Sequence, residues 1–363
     1  MKYFFLIISS LLLTISLQAQ NVYTVSNNVR IPAQFTDLQE AIDQAPAGSM
    51  IYVHPSSVSY GDVTIAKNLK LLGGGYIGTD EFFGEKTQIG SVTVSETTSD
   101  VTIANNYIER LFSKSVSGDT DQQFGKLTIE FNYIGIIEFT ALDATAYAIE
   151  ADIRNNIINR ISLETPSVLG KSAIYNIENN VIGYATGLQT QATALINNLF
   201  YPSNESVPAL VNISDAAIIN NIFFAQNANT NNDIGLANVT NCVITNNLCV
   251  GTRDIFSSGS DETNSYVDNI NQQDPQFTTV SYRADLYEWV TTSNFTLKST
   301  SPALTAGQQG DALGIMGGNY PYNPRGRYMM PYIQSISIDK PVVESDKQIR
   351  VTIKAGYPGE EQQ

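Results

Sequence analysis

Histidine and tryptophan each occur once among the 363 residues, cysteine occurs twice, and only 15% of residues are charged. So few His and Cys side chains leave no cluster for a transition metal. Basic residues are also scarce: 35 acidic side chains face 20 basic ones, a net charge of −15. That balance argues against nucleic acid or an anionic membrane as partner. It argues mildly against a polyanionic substrate too, unless basic residues gather locally or a cation bridges. Long apolar runs are missing after the first 20 residues, so no later segment reads as a membrane-spanning helix.

The one apolar run opens the chain, in MKYFFLIISSLLLTISLQAQ. Lys2, the stretch Tyr3–Leu17 and the small Ala19 read as a signal peptide over residues 1–19. Leu17 at −3 meets the small-x-small rule only in part. The run is about 15 residues, short of the roughly 20 that cross a bilayer. No Cys stands near the cut to carry a lipid anchor. The expectation is export to the periplasm, the outer surface or the medium, with no membrane span after cleavage. Export would permit a disulfide. However, Cys242 and Cys249 fall on the apolar side of the pattern described next, where other copies carry Val, Leu or Ile. They read as two buried thiols acting as small hydrophobes.

Against these absences stands one abundant feature. Seven segments repeat a short apolar strand, an Asn-Asn or near equivalent, and more apolar residues: VTIANNYI, LTIEFNYI, ADIRNNII, YNIENNVI, TALINNLF, AAIINNIF and CVITNNLC. The second Asn is Asn106, Asn132, Asn156, Asn180, Asn198, Asn221 and Asn247, in steps of 26, 24, 24, 18, 23 and 26 residues. A repeat of that length with a fixed polar corner predicts a coiled solenoid. Three residues before the second Asn stand Ile103, Ile129, Ile153, Ile177, Leu195, Ile218 and Ile244. Two residues after it stand Ile108, Ile134, Ile158, Ile182, Phe200, Phe223 and Cys249. Strand alternation before the pair, a phase break at it and burial again after it describe a corner. One Asn of each pair is expected in the left-handed backbone region. The other is expected to point inward and stack on its counterparts as a structural ladder.

Outward positions carry the departures from this regularity. Glu130, Arg154 and Glu178 are expected to stack as a surface charge ladder. The same column then turns apolar at Ile196 and Ile219, flanked by Ala194 and Ala217, a candidate contact patch. A loop or the C-terminal segment is the expected cover for that patch; a partner surface is the alternative.

The ends complete the fold reading: all-β, a right-handed parallel β-helix over 20–330 with a short N-terminal capping helix. Thr36 with Gln39 has the form of a capping box, and Leu38, Ala41, Ile42 and Ala45 form an apolar stripe. A helix over 36–45 is therefore expected to plug the solenoid's opening. Pro46 and Gly48 end it. Residues 331–363 hold two alternating segments, 332–338 and 348–354, too few for an independent core. They read as a hairpin or a partial module.

The plugging helix followed by IYVHP, VTIAKNLKLLGGG and the Asn-Asn coils resembles the right-handed parallel β-helix proteins of the pectin-lyase-like superfamily. DPQF, FTLKSTSPALTAG and DALGIMGG are similar to the closing coil of many secreted bacterial β-helices, of a Bacteroidota-like kind. The likeness covers roughly 35–325 and is specific for fold more than for activity. Hydrolases of that fold imply an Asp-Asp pair and a Gly-His-Gly, and neither occurs here. Its lyases imply a calcium-binding acidic cluster with an Arg or Lys base. Glu130 and Asp152 come close across coils, but Arg154 stands between them, so no catalytic or metal residue is assigned. Calcium enters only through the acidic loops at Asp119 and Asp121 and at Asp261-Glu262, which otherwise read as solvated. His54 reads as a loop residue and Arg253-Asp254 as a local ion pair. Trp289 and Tyr287 read either as packing of the terminal coil or as a sugar-stacking platform. The functional expectation is a secreted, non-catalytic β-helix that binds a polysaccharide or cell-surface component or serves structurally. The alternative is a polysaccharide lyase or glycoside hydrolase with a non-standard site.

Overall fold

The computed structural model describes residues 21–78, 85–95, 100–114, 125–139, 150–163, 174–202, 208–224, 235–250, 263–281, 285–323, 332–338 and 350–356. The leader, Asp119, Asp121, Arg253, Asp254, Asp261 and Glu262 lie outside the described residues.

Twenty-one strands form one continuous sheet, wound as a parallel β-solenoid. Face A carries the strands before each Asn pair, among them Val101–Ala104, Lys126–Glu130, Glu150–Arg154 and Ile174–Glu178. It continues through the ends of Gln189–Ile196 and Leu210–Ile219 to Val243–Thr245 and Ser265–Val267. Face B carries the strands after each pair, from Gln88–Ser95 to Leu248–Cys249. Successive coils lie in parallel register, with Ile103, Ile129, Ile153, Ile177, Leu195, Ile218 and Ile244 directly above one another. All seven are fully buried. Each such side chain contributes about 1.5–3 kcal/mol relative to exposure, and a one-residue slip would turn the whole column outward. Phe200 and Phe223 stack at 4.9 Å in the column two residues past the corner. Cys242 and Cys249 are buried and not joined in a disulfide, as their apolar positions imply.

The plugging helix exists but is shorter than its sequence signature. α1 spans Leu38–Gln44, not 36–45, and its N-cap is Asp37, whose carboxylate accepts from the Glu40 N–H at 2.8 Å. The expected capping box at Thr36 is not used: Gln39 instead donates to Asp43 and accepts from the Thr64 N–H. A charged carboxylate at the positive helix end outcompetes the neighbouring hydroxyl. The apolar stripe Leu38, Ala41, Ile42 and Ala45 is buried against the first coils, as expected.

At the other end the coil stops earlier than its sequence resemblance implies. The last solenoid strand is Ser265–Val267, followed by a bridge from Leu248 to Ile270. Residues 277–322 do not make a closing coil. Phe277–Thr279 pairs antiparallel with Asn294–Leu297, and between them lies α2 (Leu286–Thr292). This layer covers the outside of face B and buries a second apolar core. Ile157, Val181, Leu199, Ile222 and Leu248 from the solenoid meet Trp289, Val290, Leu313 and Ile315 from the layer. Finally, Tyr332–Ile338 and Val351–Gly356 pair as an antiparallel hairpin. The second strand begins three residues later than the expected 348.

Candidate functional site

The Asn pairs divide their labour. The first residue of each pair holds a left-handed φ of 52° to 59°: Asn105, Phe131, Asn155, Asn179, Asn197, Asn220, Asn246 and Asp268. The second residue is buried and laddered. In mid-ladder, Asn156 donates its backbone N–H to Asn180 Oδ1 at 2.9 Å, and its amide donates to the same oxygen and to the Ile129 and Arg154 carbonyls. The pattern repeats through Asn198, Asn221 and Asn247. It includes an eighth rung absent from the sequence reading, Asn269, because its neighbour is Asp268 and the pair is not Asn-Asn. At the other end Asn106 Oδ1 has no donor among the described residues. The preceding coil carries Gly73-Gly74 there, and a Cβ on Gly73 would lie 2.5 Å from that oxygen. The ladder sets register and corner geometry, and its atoms are committed to that task.

The first-Asn column has a role the sequence did not reveal. Its side chains clasp the backbone of a strap, residues 306–320, that runs antiparallel to the coil order. Asn246 donates to the Ala306 carbonyl at 2.9 Å. Asn220 Oδ1 accepts from the Gln308 N–H at 3.1 Å, and its carbonyl accepts from the Gly314 N–H at 2.7 Å. Asn197 donates to Ala312 and Gly314, Asn179 to Ile315 and Gly317, and Asn155 to Tyr320. Gly314 has φ +68°, and a Cβ there would lie 2.7 Å from Ile222 Cδ1. That is the physical reason for the first glycine of DALGIMGG.

The strap ends by bringing Tyr320 over the expected charge ladder. The register places Arg154 between Glu130 and Glu178 on adjacent coils, as expected. Arg154 Nε lies 3.5 Å from Glu130 Oε2, and its guanidinium lies 4.7 Å from the Tyr320 ring. The ladder is wider than one column. Lys126 Nζ reaches Asp152 at 2.7 Å and Glu150 at 3.1 Å, Arg154 approaches Asp152 at 3.6 Å, and Asn176 donates to Asp152 at 2.9 Å. Glu178 makes no ion pair among the described residues. Three carboxylates therefore share two cations on the outer face of three coils, and Glu178 stands as a fourth beside Arg154.

The two central carboxyls are pushed in opposite directions. Burial works against the Asp152 charge, but the hydrogen bonds from Lys126 and Asn176 outweigh it and hold the carboxyl below its usual range. Burial raises Glu178, with Arg154 opposing and the Asp152 charge adding. The Tyr320 side chain is 43% exposed, so its ring offers a surface to solvent beside these groups.

The apolar column continues this face. Ala194 pairs with Ala217 and Ile196 with Ile219, all four half-buried, and the next coils add the exposed Val243 and Val267. The layer over 277–322 covers a different column, the one just after the Asn pair on face B. His54 is half-buried beside the first coil, and burial lowers its pKa. Trp289 is fully buried and stacks on Tyr201 at 3.8 Å, so it packs and does not form a sugar platform. No group of three or more His, Cys, Asp or Glu side chains among the described residues is arranged around a metal. No helix among them is long and apolar enough to cross a membrane.

The sequence matches no protein-family model and no curated protein.

Proposed function

We propose that this chain is a secreted glycan-binding β-solenoid of the pectin-lyase-like kind, exported by its leader, that takes a polysaccharide strand across face A. The observation that carries this reading is the juxtaposition of the exposed Tyr320 ring with the carboxylates, amide and cations of Lys126, Glu130, Asp152, Arg154, Asn176 and Glu178. Carbohydrates are held by a ring face under their C–H surface and by carboxylates, amides and guanidinium groups that bond their hydroxyls. Four carboxylates against two cations favour a neutral or amino glycan over a polyuronate. The coil spacing of about 4.8 Å sets the groups out in a row across the coils.

A glycan array probed with the labelled mature protein tests this. The expected result is signal on neutral or amino oligosaccharides that disappears in Tyr320→Ala and in Arg154→Ala. An array that stays dark would leave a structural role in place of this reading, and one dominated by polyuronates would overturn the neutral or amino preference.

One observation favours a second reading, glycoside hydrolysis on the same face. Asp152 and Glu178 lie on neighbouring coils with carboxyl pKa values pushed apart, the arrangement that assigns base and acid to two carboxylates. Release of reducing ends from any bound oligosaccharide, lost in Glu178→Gln with binding kept, would select it.

A further inference from the structure

A second place on the molecule holds a cationic side chain against aromatic rings and lies on face B, away from the charge ladder. Tyr107 and Tyr133 stand on adjacent coils and stack at 4.5 Å. Tyr287 of α2 meets both edge-on, at 5.8 Å and 5.0 Å. Its hydroxyl donates to the Tyr76 carbonyl at 3.1 Å, which fixes the ring. With one face of Tyr107 covered by Tyr133, its other face and Tyr287 form a two-walled aromatic corner. That corner exists only because the outer layer docks on the solenoid, and sites at such junctions are where ligands are commonly held.

The corner already contains a positive charge. Lys86 Nζ lies 3.3 Å from the Tyr107 centroid and 5.3 Å from that of Tyr287. It forms no ion pair with any carboxylate among the described residues. A lysine left half-buried against two rings without a counter-ion shows that the ring faces attract cations strongly enough to hold one. The surroundings add to this. Burial is the main cause of the raised pKa values of all three phenols, and the charge of Asp285, the exposed N-cap of α2, adds a smaller push to each. Asn159 donates its amide to the Tyr133 hydroxyl at 2.8 Å from the coil behind Tyr133, which fixes that ring.

We propose that the Tyr107–Tyr287 corner is a binding site for an organic ammonium group, and that Lys86 is its built-in competitor. The shared chemistry is a substituted ammonium on an uncharged body. An amino sugar and a trimethylammonium headgroup both present it. An alkylated cation gains more than Lys86 from two ring faces because it sheds water more readily.

The test is an NMR titration of the full mature chain, following the tyrosine ring resonances, with tetramethylammonium chloride and separately with glucosamine hydrochloride. Sodium chloride at equal ionic strength is the control. Wild type is expected to bind in the millimolar range, and Lys86→Ala about tenfold tighter, because the competing charge is gone. Tyr107→Phe keeps the ring and is expected to retain binding, whereas Tyr107→Leu in the Lys86→Ala background is expected to lose it. A preference for tetramethylammonium would assign the headgroup source, and one for glucosamine the sugar source. The proposal is overturned if neither cation shifts the Tyr107 and Tyr287 resonances beyond the sodium control in Lys86→Ala. It is overturned equally if Tyr107→Leu, folded by circular dichroism, binds as well as Tyr107→Phe.

Discussion

Asn180 sends both its backbone N–H and its side-chain amide to one atom, Asn198 Oδ1 on the next coil, at 3.0 Å and 3.1 Å. The same amide also serves the Ile153 and Glu178 carbonyls, so every polar atom of a fully buried corner is occupied. Replacing Asn180 by Ala strands donors and acceptors on three coils at once. The expected cost is at least about 3 kcal/mol, since each buried polar group left unpaired costs about 1–3 kcal/mol. Asn180→Asp should be worse at neutral pH, because a carboxylate cannot donate to the two carbonyls and would be buried charged. Urea unfolding of the two variants measures both effects and their order.

The strap depends on backbone approach as much as on the asparagine clasps. Gly314→Ala puts a Cβ against Ile222 at a left-handed φ, with an expected local cost of about 1–3 kcal/mol. Amide hydrogen exchange should rise at Gly314 and Gly317 while the Asn198 and Asn221 amides stay protected. Equal exchange at both places would mean that strap and solenoid open as one unit.

The helix cap separates two adjacent residues. Asp37→Ala should destabilise by about 1 kcal/mol, and Thr36→Ala by no more than about 0.5 kcal/mol. Thermal melts of the pair decide which residue caps α1.

Glu178 gives a pH signature. Its folded pKa is raised by burial, so the folded state favours the protonated form. The associated stability is present below the ordinary glutamate range and is lost as pH rises through the raised value. Glu178→Gln should therefore raise the melting temperature near neutral pH and leave it unchanged in acid. Asp152 is held low chiefly by Lys126 and Asn176 against burial, so Asp152→Asn should destabilise at neutral pH, an effect that vanishes on acidification. Melting curves across pH for both variants check the opposite signs.

The coil was legible in the sequence because one requirement recurs at each turn: an inward amide, a left-handed residue before it and an apolar residue three positions earlier. Phe131 shows the tolerance of that code, since it holds φ 56° with its side chain only 8% exposed. The eighth rung was missed because Asp268 meets the backbone requirement as well as Asn does. The strap was not legible, as its partners are main-chain carbonyls that carry no residue identity. Asp152 was legible beside Glu130, but Lys126 and Glu150 were not, because they stand further along the strand than the outward columns next to the corner, while the salt-bridge network crosses columns. Tyr320 reaches Arg154 from 166 residues away, and no periodicity links the two.

The central claim is that the Tyr320–Arg154 face holds a glycan. It is tested most directly by calorimetric titration with the strongest neutral or amino oligosaccharide from the array, against wild type, Tyr320→Ala and Arg154→Ala. The account predicts that each substitution weakens binding about tenfold or more, through a lost ring face worth about 1 kcal/mol or more and a lost charged hydrogen-bonding group. Wild-type affinity in both folded variants would contradict it.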